Sequence, residues 1–227
     1  EGVDDDVNVG ILMRMNKFQK RYKMHKYQHL YFWFLYMLLY LFWIFYTDYK
    51  KYFTGKVGSV PIKKMRFIDH AIFWAFKLAN IVIFIALPIY MVGVIPWLVG
   101  FLTFTLIAGF VLSIVFQLAH TVEDTSFPDP HGNNVTGRME DEWAIHQIKT
   151  TANFATNNRL VSWLVGGLNF QVEHHLFPKI SHVHYPKISK IIKATCQEHG
   201  IPYIEYPKMT TAIASHVHYL KRMGATE

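Results

Sequence analysis

The sequence predicts an all-α integral membrane protein: two transmembrane helices, an interfacial aromatic helix and a cytoplasmic helical cap. Three observations carry that prediction. The 227 residues are 52% hydrophobic and 16% aromatic, which is rich for a soluble chain. From Leu78 to Val122 no Asp, Glu, Lys or Arg occurs. Basic residues cluster beside the apolar stretches and not at random along the chain.

The first element begins after a basic run. Arg14, Lys17, Lys20, Arg21, Lys23 and Lys26 occur with no acid among them. His29–Tyr46 then has no charge and is crowded with Phe, Trp and Tyr. The loop that follows is basic again, with Lys50, Lys51, Lys56, Lys63, Lys64 and Arg66 against Asp48 and Asp69. Positive flanks stay in the cytoplasm, so residues 29–46 are expected to lie in the interface or re-enter it, where Trp and Tyr belong, with a true crossing as the alternative because the charge rule has exceptions.

The uncharged stretch from Leu78 is too long for one span and suits two, at roughly 20 residues each. The expected spans are 72–92 and 97–119, with Gly93 and Pro96 at the turn between them. A very apolar soluble core is the alternative, but soluble helices rarely run so far without charge. Two crossings return the chain to the cytoplasm at His120. The membrane surface, not nucleic acid, accounts for the formal charge of +7. Cys196 is the only cysteine, so no internal disulfide is possible. The first residue, Glu1, points to a processed chain or a fragment, and no signal peptide is visible.

Beyond the spans, residues 120–227 are expected to form the cap. A polar loop around His131 leads to a helix expected over about Met139–Val165, with Asp141 and Glu142 in its first turn. Trp143, Gln147, Thr150 and Phe154 would share one of its faces. The last clear helix is expected at about Tyr185–His199, with Ile188, Ile191 and Ile192 inward, Lys187, Lys190 and Lys193 in water, and Gly200 as its stop.

Between these helices stands "NFQVEHHLFP", Asn169–Pro178. On a helix, Gln171, His174 and His175 fall at i, i+3 and i+4, one face. Neutral imidazole is the commonest metal ligand, so that face has the donors for a metal. A lone buried His is usually just a satisfied core residue, but two adjacent imidazoles are hard to charge together in an apolar setting. His120, on the same side of the membrane, is the third candidate.

"LNFQVEHHLFP" resembles the third histidine box of membrane fatty acid desaturases, in the Gln-first form of the front-end and related acyl-lipid or acyl-CoA types. The similarity extends through "KISHVHYPKISKIIKATCQEHGIPY", "FQLAH", "WAIHQIKTTANF" and "YQHLYFWFLY", and the resemblance as a whole covers nearly all of the chain. The resemblance implies a di-iron centre of two non-haem irons. Dioxygen is the co-substrate, the substrate is an acyl-lipid or acyl-CoA in the membrane, and cytochrome b5, a ferredoxin or a flavoprotein is the electron donor. It implies iron ligation by His120, His174 and His175. Gln171 is either a weak oxygen ligand or a group that orients the ligands. Iron accepts imidazole well, and a dry pocket protects a strong oxidant. Glu173 would orient a His or, more simply, face water. His182 and His184 would serve loop or interface roles, and His25 and His29 stay outside the site.

The first two boxes, of the HxxxH and HxxHH kinds, are missing, and "EGVDDDVNVG" resembles the sequence after the second. The chain is therefore expected to be the C-terminal part of a desaturase, inactive alone. A fatty-acyl hydroxylase, a non-catalytic membrane subunit and a haem b electron carrier are the other readings.

Overall fold

The computed structural model describes residues 11–58, 60–127 and 142–225. His131 and Met139–Asp141 lie outside them. The described chain is mostly helical. Three helices are long and apolar enough to cross a membrane: α1, Lys23–Thr54; α2, Phe67–Val92; and α3, Val94–His120. They are followed by α4 (Trp143–Lys149), α5 (Arg159–Leu164), α6 (Gln171–Leu176), α7 (Tyr185–Glu198) and α8 (Met209–Ala225). Strands β1 (Lys56–Val57) and β2 (Val60–Pro61) pair antiparallel, and β3 (Ala152–Phe154) and β4 (Ile204–Tyr206) pair parallel. The chain divides into two compact units. One is Trp33–Ser113; the other comprises the residues up to Phe32 and from Ile114 onward.

In the Trp33–Ser113 unit, aromatic rings join α1 to α3. Trp33 meets Phe110 at 5.9 Å, Tyr40 meets Phe104 at 6.0 Å and Phe45 meets Phe101 at 6.3 Å between centroids. Residue numbers rise on one helix as they fall on the other, so the two run antiparallel. Small residues let the backbones approach, as in membrane helix pairs. A Cβ on Gly109 would lie 2.4 Å from the Met37 carbonyl oxygen. Ser113 donates a hydrogen bond to the Tyr36 carbonyl at 3.1 Å. A helix aligned along α3 shares its direction, so this pairing ties the course of residues 33–45 to that of α3.

The first turns of α2 pack on the end of α1. Tyr52 stacks on Phe73 with centroids 4.1 Å apart, and Lys77 Nζ reaches Asp48 Oδ2 at 2.6 Å. Gly93, at φ +85°, separates α2 from α3 in a conformation that favours glycine. None of α2's apolar window is buried, and only 11% of α1's and 28% of α3's. In water such surface would be strongly unfavourable; in hydrocarbon it is solvated.

The other unit is built around buried polar contacts. Gln28 is fully buried: its Oε1 accepts from the Arg14 amide at 2.8 Å, and its Nε2 donates to the carbonyls of Arg14 and Leu220. His216, also fully buried, bonds through Nδ1 to the Thr121 carbonyl at 2.6 Å and packs edge-on against Phe32. Burial pushes its pKa down to about 4. Ala212, Ser215, His216, Tyr219 and Leu220 form the buried stripe of α8, at i, i+3, i+4, i+7 and i+8.

Two expectations are corrected here. The helix expected over about Met139–Val165 is broken: α4 stops at Thr150, whose Oγ1 donates to the His146 carbonyl at 2.9 Å. Ala152–Phe154 then pairs with Ile204–Tyr206, and Asn158 caps α5 by accepting from the amides of Leu160 and Val161. The β-branched Thr150 and Thr151 and the run of Asn residues favour this over helix. On α7, Ile192 is buried and Ile188 half-buried, but Ile191 is exposed among the lysines. Tyr185 and Cys196 complete the inward stripe.

Candidate metal centre

Residues Gln171–Leu176 do form a helix, α6, and Gln171, His174 and His175 share its face. The other side of α6 is anchored in the fold by Glu173. This carboxylate is fully buried. Its Oε2 accepts from Asn153 Nδ2 at 2.7 Å and its Oε1 from the Tyr203 hydroxyl at 2.8 Å. Asn153 Oδ1 accepts from the Val172 amide at 2.9 Å, so β3 holds both backbone and side chain of α6. Burial raises the Glu173 pKa, and the bonds from Asn153 and Tyr203 oppose that rise. Burial and the nearby Glu173 hold the Tyr203 hydroxyl firmly protonated. The expectation that Glu173 faces water is therefore wrong. Val172 packs beneath with Ile148, Ile192 and Cys196.

On the other face, the His120 and His175 rings lie with centroids 5.0 Å apart at 72°. The His174 and His175 rings are 5.8 Å apart and nearly perpendicular. His175 Nδ1 bonds to Gln147 Oε1 of α4 at 2.9 Å. With the Gln147 amide oxygen as the acceptor, Nδ1 carries the proton and the lone pair sits on Nε2. That arrangement, one ring nitrogen fixed by a carbonyl-type acceptor, is how metal-ligating histidines are oriented. His174 Nδ1 lies 3.3 Å from the hydroxyl of buried Tyr185. The structure thus brings the His120 ring to His175 and leaves His174 beside Tyr185.

Gln171 is buried, and its amide nitrogen has no hydrogen-bond partner among the described residues. A buried polar atom without a partner is costly. The two ends of an amide are interchangeable, so the same side chain can present its oxygen to a cation. The His120–His175 pair and the Gln171 amide are donor types that a metal accepts, in an edge-to-face ring contact at 5.0 Å. Among the described residues, no group of three or more His, Cys, Asp or Glu side chains could hold a metal ion.

Gln147, Asn153, Tyr185 and Tyr203 belong to the site's support and were not singled out as such by the sequence. Gln147 stood only as one of four residues on an expected helix face. His182 and His184 are exposed in a single 3-10 turn. His25 is buried and bonded to the Ile11 carbonyl, away from any role on α6.

The model of the fatty acid desaturase family matches residues 2–207. The chain belongs to that family. It is 38% identical over 187 residues to an acyl-lipid (8-3)-desaturase of Physcomitrium patens, covering 81% of this chain and 38% of that protein. It is 53% identical over 116 residues to an sn-1 linoleoyl-lipid 6-desaturase of Synechocystis, covering 51% of this chain and 32% of that protein. The similarity to an sn-1 linoleoyl-lipid 6-desaturase of Arthrospira platensis is 41% over 159 residues, 69% of this chain and 42% of that one. The desaturase chain thus spans about a third to two-fifths of the length of these relatives. No solved structure matches it.

Proposed function

We propose that this chain forms the third-box part of an acyl-lipid desaturase, in which His120, His174 and His175 contribute to a di-iron centre. The observation that carries the reading is the His120–His175 approach, with Gln147 fixing the His175 tautomer, at the end of an apolar helix. The names of the similar proteins favour a lipid-bound acyl chain over a coenzyme A ester. The net reaction takes dioxygen, two electrons and two protons, removes two hydrogens from adjacent carbons and releases two waters. Iron, when bound, would supply the oxidising power. This chain's own residues do the rest. Gln147 orients His175, Tyr185 sits against His174, and the Glu173–Asn153–Tyr203 cluster holds α6 in place. Gln171 would offer its amide oxygen or orient a neighbouring ligand.

The active site lies on the cytoplasmic face. The basic Arg14–Lys26 segment and the three histidines belong to one compact unit, and positive segments stay inside. Because α1 leaves that unit and α3 returns to it, the three apolar helices cross an even number of times. The antiparallel α1 and α3 are the crossing pair, and α2 lies along or re-enters the far leaflet.

Three imidazoles are too few for two irons, so the chain alone is inactive and holds fewer than two irons tightly. In membranes carrying the protein as its gene encodes it, given acyl-lipid, dioxygen and an electron donor, Ala at His120, His174 or His175 should abolish formation of the double bond. Gln171→Ala should retain some activity. Full activity in all three His variants would sink the assignment.

A further inference from the structure

We propose that the polar unit does not stop at the membrane surface: α5 and the turn after α6 insert into the lipid beside the histidine site. Leu160, Trp163 and Leu164 stand at i, i+3 and i+4 of α5, one face, and are 63–77% exposed. The opposite side is tied inward, since Asn169 Nδ2 donates to Ser162 Oγ at 3.0 Å just before α6 begins. The apolar side is therefore presented outward by a fixed helix and is not an accident of a loose loop.

A second set continues the patch. After α6 come Phe177, Ile180 and Val183, all exposed, and Val183 is 65% so. The two sets are held close. Gly167, three residues after Leu164, approaches His182 so tightly that a Cβ there would lie 2.6 Å from the His182 Cβ. Six large apolar side chains thus surround the two ends of the segment that carries the box.

Water is a poor partner for such a surface. The bilayer is already at hand, because His120 is the last residue of the apolar α3 and its ring is 5.0 Å from His175. The surrounding charges agree. Arg159 precedes the apolar face of α5, Lys179 lies within the second set, and Lys187 and Lys190 flank the exposed Ile191 on α7. Apolar side chains with Lys and Arg at their margin, and a Trp among them, are the composition of an interfacial membrane segment. The occupant is the acyl and headgroup boundary of an anionic bilayer.

The test is depth measurement by spin labelling. Cys196, the single cysteine, is buried, and Cys196→Ala removes it. Nitroxides are then placed singly by Trp163→Cys, Leu160→Cys and Val183→Cys, with Val99→Cys on α3 and Glu198→Cys, at an exposed position of α7, as lipid and water references. The chain is reconstituted in vesicles of phosphatidylcholine and phosphatidylglycerol. Labels at 160, 163 and 183 should collide with dissolved oxygen more than with an aqueous nickel chelate, ranking nearer Val99 than Glu198. A water-like ranking overturns the proposal. So does protection from both quenchers, which would mean that another protein segment or a second copy covers the patch. Using three positions keeps the result independent of any one variant's folding. Either failure leaves the histidine assignment standing, because no label touches it.

Discussion

The two units solve the folding problem with opposite surfaces. In Trp33–Ser113 the large apolar side chains point outward, and cohesion comes from aromatic pairs and a close backbone approach at Gly109. In the other unit the interior carries Gln28, Asn153, Glu173 and His216, each fully buried. The difference teaches where sensitivity lies. Lipid-facing positions tolerate change among apolar residues, while a buried polar cluster fails when one member is removed.

The largest expected effect is therefore at Glu173. Glu173→Ala leaves Asn153 and Tyr203 short of an acceptor in a dry site, at a cost of about 3 kcal/mol. Denaturation of the reconstituted chain should show it, with Glu173→Gln losing less. A loss no larger than that of a surface substitution would break the contrast between the units.

The next effect is a pH dependence in the polar unit. His216 is held neutral in the fold, with its pKa near 4 against 6.5 for the free side chain. The unfolded chain therefore binds a proton first on acidification. The contribution is intact above about pH 6.5 and is lost as pH falls towards 4. Going from pH 7 to pH 5 should remove about 2 kcal/mol. His216→Gln should flatten that dependence while lowering stability at pH 7. An unchanged slope would show that His216 does not set it.

In the lipid-facing unit the sensitive point is Gly109. Gly109→Val puts a side chain where the Met37 carbonyl stands, and about 1–3 kcal/mol should be lost as α1 and α3 separate. Increased distance between spin labels on the two helices would report it. The smallest effect belongs to positions such as Val99, which is 62% exposed. Val99→Leu should change stability by no more than about 0.5 kcal/mol. A large effect there would mean that protein, not lipid, covers the face.

The same contrast explains what could be read from the sequence. The apolar helices were legible because 45 uncharged residues have few other uses. The pairing of residues 33–45 with α3 was not, because the partner residues lie some sixty positions away in the chain. Residues 209–225 went unread because their buried stripe uses Ser215, His216 and Tyr219 instead of aliphatics. At the candidate site, the spacing of Gln171, His174 and His175 gave the face, but their supports come from three other elements. Gln147, Asn153 and Tyr203 meet α6 only through the β3–β4 pairing and the packing of α4. Glu173 was misread because a carboxylate defaults to water unless its donors are known.

The central claim is that His120, His174 and His175 form one metal-binding group. Its most direct test is an anaerobic titration of the reconstituted chain with Co(II) as a spectroscopic stand-in for Fe(II). The account predicts a weak, saturable absorption band from imidazole coordination. Ala at His120 or at His175 should abolish it, and His182→Ala should leave it unchanged. Binding of the same strength in the His120 and His175 variants would contradict the account.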